Sequence, residues 1–347
     1  MKKRYWIPGL FLLILLVTYF TGPVIPEPVY ATDLPRIDGP VNTLGKQVLA
    51  REDTEPLRAD NGARILYAGD RGERTEYAIV YLHGFGASYR DAYPLNVAVA
   101  DPLDANLYLG RWGNHGQQPP HHLKDFSPEM AWADAREALA YGKRLGNKVI
   151  VMSTSTGGTL GLKLAAEFPN DVYALINLSP NVKDDMPGAW LLNSPWGHEL
   201  ARLTALGGND RKIRYEEPWA DQYFDTLVPT DALVNLQILV SSTMTENTFS
   251  RITCPVLTLY YYEDWLHEDE RVEVDVYPDM HAQLATPKNQ QLLRALPTPG
   301  THFLGSDIMS KDVPAARAAV LEWCRGVLEI PTVVDSGVTP QLHWGLR

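Results

Sequence analysis

Residues 149–161 (VIVMSTSTGGTLG) place serines and threonines between an apolar run and a pair of glycines. An apolar strand, a tight turn and a helix in this order are typical of a turn that carries a serine nucleophile. Such a turn needs small residues two positions before and after the nucleophile. Ser155 has Ser153 and Gly157 at these positions, whereas Ser153 would have Val151. Ser155 is therefore the predicted nucleophile, with a serine in place of the usual first glycine. The alternative is an ordinary turn rich in helix-capping residues.

A serine nucleophile needs a general base and an acid that orients the base. A carboxylate that follows a parallel strand lies at the ligand-binding edge of the sheet, which favours Asp264, with Glu263 as the second choice. His302 is the predicted base, because it lies after the last predicted strand and before the last helix. His281 and His267 are its rivals, but both precede that strand. Alternatively, these acids and histidines are ordinary solvated loop residues.

The reaction also needs N–H donors for the negative charge that develops on the carbonyl oxygen. Residues 83–86 (HGFG) end a strongly apolar predicted strand, and their glycines let the backbone approach a substrate. We expect the backbone N–H groups of Phe85 and Thr156 to form this oxyanion hole, since Thr156 directly follows the predicted nucleophile.

Strands and helices alternate along most of the chain, as in a mostly parallel sheet built from βαβ units. One break in the alternation, residues 182–251, is predicted to be an inserted and largely helical cap. Its aromatic residues indicate a face that covers something apolar. The predicted strands are 63–68, 77–82, 106–109, 148–152, 172–178, 252–261 and 290–296, and the predicted helices are 41–51, 131–145, 157–168 and 315–328.

The chain resembles the α/β-hydrolases of the monoacylglycerol lipase and carboxylesterase group. The resemblance covers about residues 63–328 and is carried by residues 83–86, 110–116, 153–157, 255–264 and 300–302. It implies an α/β-hydrolase fold, with a mostly parallel central sheet flanked by helices and an inserted cap. It also implies that Ser155 is the nucleophile, His302 the general base and Asp264 the orienting acid, with no cofactor and no metal.

The expected activity is hydrolysis of a carboxylic ester, of a small molecule or of a lipid such as a monoacylglycerol, through an acyl-enzyme. A thioesterase, amidase or acyltransferase would use the same residues, and a catalytically silent hydrolase fold that binds a ligand is the alternative from another class. A net charge of −11 and the absence of basic runs after the first residues argue against nucleic-acid binding. Cys254 and Cys324 are expected to be buried free thiols rather than a disulfide.

The N-terminus combines three basic residues, 2–4, with sixteen uncharged residues, 5–20. Residues 1–25 are predicted to be an uncleaved membrane anchor that leaves the catalytic domain outside the cytoplasm, because small residues suited to signal cleavage are missing close to the apolar core. The alternative is a cleaved signal peptide and a periplasmic or secreted enzyme. Residues 26–60 are expected to form a proline-rich tether and N-terminal extension, residues 61–328 the hydrolase domain, and residues 329–347 a tail.

Overall fold

The computed structural model describes residues 6–69, 72–119, 122–185, 191–192, 194–197, 199, 201, 210–332 and 343–344. Its strands are β1 (Arg64–Tyr67), β2 (Thr75–Leu82), β3 (Asn106–Leu109), β4 (Gly146–Thr154), β5 (Val172–Leu178), β6 (Asp210–Lys212), β7 (Leu227–Pro229), β8 (Val256–Asp264), β9 (His267–Glu268), β10 (Gln291–Leu296) and β11 (His343–Trp344). Its α-helices are α1 (Trp6–Phe20), α2 (Val41–Glu52), α3 (Leu95–Ala100), α4 (Pro128–Leu145), α5 (Thr156–Glu167), α6 (Ala220–Tyr223), α7 (Thr230–Thr243), α8 (Glu246–Phe249), α9 (Tyr277–Gln283) and α10 (Val313–Gly326).

The main sheet has the strand order β10-β8-β5-β4-β2-β3-β1-β11, and β9 pairs with the end of β8. All neighbours from β10 to β3 are parallel, while β1 pairs antiparallel with β3. The strands that the apolar runs predict are therefore present, and the mostly parallel α/β sheet is confirmed. Since the central strands are parallel, their carboxyl ends and the loops that follow them lie at one edge.

Side chains of the central strands alternate between two apolar layers. Val149 and Val151 of β4 pack in one layer with α4 and α5, while Ile150 and Met152 pack in the other with α3 and α10. Burial on both faces explains why these strands appear in the sequence as continuous apolar runs. Ser127 caps α4, because its Oγ accepts a hydrogen bond from the N–H of Met130 at 3.2 Å.

The predicted cap region contains more than helices. β6 and β7 form an antiparallel pair, which precedes α7, and α6 lies just before β7. Of the aromatic residues that predicted a covering face, Phe224 is buried against Phe303, whereas Trp219 is exposed; Trp190 lies outside the described residues.

The N-terminal part consists of helix α1 and an extended segment that follows it. Helix α1 exposes the apolar side chains of residues 10–17. In the part of the chain that the structure describes, no helix is both long enough and apolar enough to cross a membrane. Residues 23–40 form no helix or strand, and residues 29–39 lie along α4, where Trp132 Nε1 donates to the Ala31 carbonyl at 2.8 Å. The predicted tether is thus bound to the domain surface.

Both cysteines are buried free thiols, as expected. Cys254 lies just before β8 and Cys324 lies on α10, and burial raises the pKa of both thiols to about 12.

Candidate active site

Ser155 lies at the sharp turn between β4 and α5. Its backbone has φ 56° and ψ −122°, a conformation that residues other than glycine adopt only when the surrounding structure enforces it. The N–H of Ser155 donates to the Leu178 carbonyl at 3.0 Å, and the N–H of Asn181 donates to the Ser155 carbonyl at 2.8 Å. Hydrogen bonds from the adjacent strand end thus hold the strained turn in place.

The small residues on either side of Ser155 have a visible structural reason. A Cβ on Gly157 would lie 2.0 Å from the carbonyl oxygen of Leu82, so only glycine lets α5 approach the end of β2. Ser153 is fully buried, and its Oγ donates to Asn177 Oδ1 at 3.0 Å. Ser153 therefore supports the sheet from inside, while Ser155 lines an adjacent cavity.

That cavity has a volume of about 460 Å³ and is lined by Phe85 and Thr156 as well as Ser155. The structure thus brings together the predicted nucleophile and both predicted oxyanion residues. A Cβ on Gly84 would lie 3.1 Å from the Cβ of Ser155, which shows how closely the backbone of residues 83–86 approaches the turn.

His83 holds the predicted oxyanion loop, residues 83–86, against a neighbouring segment. Its Nδ1 lies 2.8 Å from the Gly84 carbonyl oxygen, and its Nε2 accepts a hydrogen bond from the N–H of Trp112 at 3.3 Å. Burial lowers the pKa of His83 to about 4, so the ring is neutral at physiological pH. A neutral ring with its proton on Nδ1 satisfies both contacts, since it donates to the carbonyl and accepts from the N–H.

Beneath the same loop lies a second buried group, Asp91. Its Oδ2 accepts a hydrogen bond from the N–H of Gly84 at 2.6 Å, and its Oδ1 contacts the hydroxyl of Tyr81, which also lies 2.8 Å from Thr154 Oγ1. Burial raises the pKa of Asp91 to about 8, so the carboxyl group is mostly protonated at neutral pH. The sequence analysis did not single out Asp91, because its contacts with the Tyr81 hydroxyl and the Gly84 N–H become visible only in the folded chain.

His302 lies in the loop after β10, as predicted, and is almost fully buried. Its Nδ1 lies 2.8 Å and 2.7 Å from the two carboxylate oxygens of Asp269. Burial opposes the charge of Asp269, but the electrostatic interaction and hydrogen bond with His302 bring the pKa of this carboxyl below its ordinary value. The His302 Nε2 atom is buried and has no hydrogen-bond partner among the described residues. Asp269 therefore fixes one ring nitrogen and leaves the other available for chemistry.

The structure does not bring Asp264, the predicted acid, to His302. Asp264 ends β8 with a side chain 49% exposed, and its Oδ1 lies 2.9 Å from Nδ1 of His267. The fallback, Glu263, is also exposed. The physical reason is that β8 runs past the sheet edge and turns back through β9, so the acid that returns to the edge is Asp269.

The rival histidines lie in other surroundings. His281 is on α9, and its Nε2 lies 2.9 Å from Thr258 Oγ1 in the interior, where burial lowers its pKa to about 4. His267 is exposed and pairs with Asp264. Of the three candidate histidines, His302 is the one whose ring contacts a buried carboxylate at the edge that also carries Ser155.

The site combines a strained serine after one parallel strand with a buried acid–histidine pair after two others. Together with helices on both faces of the sheet, this arrangement defines an α/β-hydrolase. The chain belongs to the alpha/beta hydrolase family, whose model matches residues 79–344. No curated protein matches the chain.

Solved structures share the fold at low sequence identity. A structure from work on two metagenome-derived lipolytic enzymes has a TM-score of 0.60 and 16% identity, covering 78% of this chain and 99% of its own. The monoacylglycerol lipase of Paleococcus ferrophilus has a TM-score of 0.54 and 16% identity, covering 75% and 96%. Est1E from Butyrivibrio proteoclasticus, solved with ferulic acid bound, has a TM-score of 0.52 and 18% identity, covering 77% and 95%.

Proposed function

We propose that the protein is a serine hydrolase that cleaves carboxylic esters through an acyl-enzyme on Ser155. The observation that carries the proposal is the buried pair of His302 and Asp269, which lies at the sheet edge where Ser155 occupies a strained turn. Solved lipolytic proteins share this fold, so the fold is one that can carry ester hydrolysis.

In the proposed reaction, Ser155 Oγ attacks the ester carbonyl carbon and its proton passes to His302 Nε2. The backbone N–H groups of Phe85 and Thr156 stabilise the oxyanion. When the carbon–oxygen bond to the alcohol breaks, the imidazolium returns the proton to the leaving oxygen. His302 then deprotonates a water molecule, which attacks the acyl carbon. The bond between this carbon and Ser155 Oγ breaks, the imidazolium returns its proton to Oγ, and the acid is released. Asp269 orients the ring and stabilises its positive charge throughout.

The cavity constrains the substrate. A volume of about 460 Å³ lies in the lower part of the range of small-molecule sites, about 300 to 1,000 Å³. Its walls combine apolar side chains such as Leu233 and Leu236 with charged ones such as Arg271 and Asp185. This composition favours a short ester with polar groups over a long plain acyl chain.

The test compares two serines on the same turn. Ser155→Ala should abolish labelling by a fluorophosphonate probe and lower hydrolysis of p-nitrophenyl butyrate on the order of 10⁶-fold, the magnitude known for serine proteases. Ser153→Ala is the matched control and should keep both activities. If Ser155→Ala kept its label, or Ser153→Ala lost it, the assignment of the nucleophile would be wrong. A thioesterase or amidase would instead turn over a butyryl thioester or amide faster than the ester.

We also propose that α1 attaches the protein to a membrane, with the catalytic domain outside the cytoplasm. The support is the exposed apolar surface of residues 10–17 and the basic residues 2–4 before it. The full chain should then stay in the membrane fraction after a carbonate wash, and a chain that lacks residues 1–22 should not. Full-length protein in the soluble fraction would refute this proposal.

A further inference from the structure

One buried carboxyl group, that of Asp91, connects the two segments that carry the predicted oxyanion donors. Its Oδ2 accepts a hydrogen bond from the N–H of Gly84 at 2.6 Å, in the residue directly before Phe85. Its Oδ1 contacts the Tyr81 hydroxyl, which lies 2.8 Å from Thr154 Oγ1, in the residue directly before the nucleophile. The carboxyl group therefore links the predicted oxyanion loop to the nucleophile turn.

Asp91 also lies close to the nucleophile itself. A Cβ on Gly84 would lie 3.2 Å from Asp91 Oδ2 and 3.7 Å from Ser155 Oγ, so these two oxygens are separated by no more than the two distances together. Asp91 has no exposed surface, so solvent would screen a charge on it poorly. Two like unit charges roughly 7 Å apart, at an effective dielectric constant of about 20, repel strongly enough to slow a reaction by more than about tenfold. An ionised Asp91 would therefore oppose the negative charge that develops on the ester oxygen.

The proton of Asp91 also sets the direction of the hydrogen bonds that reach the nucleophile turn. A tyrosine hydroxyl carries one proton, so Tyr81 can donate to Asp91 or to Thr154 but not to both. When Asp91 is protonated, its O–H donates to the Tyr81 oxygen and Tyr81 donates to Thr154 Oγ1. When Asp91 is ionised, Tyr81 must donate to the carboxylate, and Thr154 must donate to Tyr81. Loss of one proton thus reverses these hydrogen bonds up to the residue before Ser155.

Asp91 is the member of this group that titrates near neutral pH. Burial raises the pKa of Asp91 to about 8, although the hydrogen bonds from Tyr81 and from the Gly84 N–H lower it. Burial and the charge of Asp91 raise the pKa of Tyr81 well above its ordinary value, so its hydroxyl keeps its proton. The other titratable side chains on the segment of Asp91, on the predicted oxyanion loop and in the loop after β10 have partners of their own: His83, Tyr89, Arg90, His302 and Asp307.

We infer that Asp91 is a positioning residue whose neutral carboxyl group holds the two oxyanion segments together and whose ionisation slows the reaction. This inference rests on the proposed ester hydrolysis at Ser155 and adds to it a regulation by pH. Because Asp91 has no exposed surface, it cannot contact the substrate. Its effect should therefore appear in kcat, with little change in KM.

The test is the pH dependence of p-nitrophenyl butyrate hydrolysis by the full chain from pH 6 to pH 10, with circular dichroism spectra at each pH. The kcat of the wild type should fall by about tenfold or more as the pH rises through about 8. In Asp91→Asn the amide oxygen accepts from the Gly84 N–H, the amide nitrogen donates to Tyr81 and no charge can form, so the alkaline fall should be absent. Asp91→Ala removes both contacts and should lower kcat at every pH, and Asp91→Asn should recover most of that loss.

Two further variants assign the effect to Asp91. Asp134→Asn is the matched control, because burial also raises the pKa of Asp134, to about 6, and its carboxylate also accepts from a backbone N–H, that of Gly113 at 2.7 Å. Asp134 lies on α4 and bonds the loop after β3, so its variant should keep the alkaline fall of the wild type. Tyr81→Phe removes a hydrogen bond that lowers the pKa of Asp91, so the midpoint of the fall should move to higher pH.

An active wild type without an alkaline fall, or an equal fall in Asp91→Asn, would overturn the inference and leave the hydrolase proposal intact. A fall that accompanies loss of the native circular dichroism spectrum would do the same, because Asp91 would then act on stability alone. If the Asp91 variants fail to fold, Tyr81→Phe decides, since an unchanged or lower midpoint contradicts the inference. If the wild type hydrolysed no ester and took no fluorophosphonate label, the hydrolase proposal would fail, and the role of Asp91 with it.

Discussion

Replacing Asp91 by asparagine should change how the stability of the protein depends on pH. Burial raises the pKa of Asp91 from 3.8 to about 8 in the folded chain. A carboxyl group whose pKa is raised on folding binds its proton more tightly in the folded state, so its contribution to stability is fully present below pH 4 and is lost as the pH rises through about 8. Asparagine cannot ionise, so the variant lacks this loss.

The expected magnitude follows from the size of the shift. Each pH unit between the unfolded and folded pKa values costs the wild type about 1.4 kcal/mol of unfolding free energy relative to the variant. Between pH 5 and pH 8 the difference should therefore grow by about 4 kcal/mol in favour of Asp91→Asn. The variant should keep the local contacts, because its amide oxygen can accept from the Gly84 N–H while its amide nitrogen donates to the Tyr81 hydroxyl oxygen.

The assay is urea denaturation of both proteins at several pH values from 5 to 8, with the difference in unfolding free energy plotted against pH. Glu322→Gln is the control, since Glu322 is exposed, its pKa lies below its ordinary value and its partner Arg294 stays charged over this range, so its difference curve should be flat. A flat curve for Asp91→Asn would refute the reasoning and would mean that Asp91 is ionised throughout, with its charge stabilised by the surrounding donors.

Two further variant pairs test the site. Asp269→Asn should lower kcat by about 10⁴-fold, the loss known for the equivalent change in serine proteases, whereas Asp264→Asn should leave kcat near that of the wild type; the opposite result would restore Asp264 as the orienting acid. Gly157→Ala should destabilise the protein by at least about 2 kcal/mol in urea denaturation, because the added Cβ meets the Leu82 carbonyl. Gly326→Ala, where a Cβ meets open space at the end of α10, should be neutral or stabilising by up to about 1 kcal/mol. Equal effects of the two alanines would contradict the packing argument.

The sheet and the position of Ser155 could be predicted because their causes are local. Parallel strands that are buried on both faces appear as unbroken apolar runs, and Val149 to Met152 of β4 show this pattern. The turn at Ser155 requires small residues as its neighbours, because a Cβ on Gly157 would collide with the Leu82 carbonyl oxygen. His302 could be placed because it follows the last parallel strand, whose carboxyl end must lie at the same edge.

The orienting acid could not be placed in the same way. The position of Asp269 depends on where β8 ends relative to the sheet edge, and the tyrosines 260–262 only show that the strand is long. A two-residue turn at Trp265 and Leu266, both exposed, then reverses the chain. This hairpin decides whether Asp264 at the strand end or Asp269, five residues later, meets the histidine. The spacing of apolar residues in the sequence does not predict such a hairpin.

The substrate cavity is further still from any local signal. Arg58 and Asp225 are 167 residues apart in the sequence, yet they form a 2.7 Å ion pair, and the backbone N–H of Asp225 donates to the Gly86 carbonyl at 2.7 Å. Gln222 strengthens the same junction, because its carbonyl accepts from Asn61 Nδ2 at 2.9 Å. The N-terminal extension therefore helps to shape the cavity through the cap, although it lies outside the part of the chain that resembles other hydrolases. Arg58→Ala should consequently raise KM for p-nitrophenyl butyrate more than it alters fluorophosphonate labelling of Ser155, because the nucleophile turn itself is held by β4, β5 and α5.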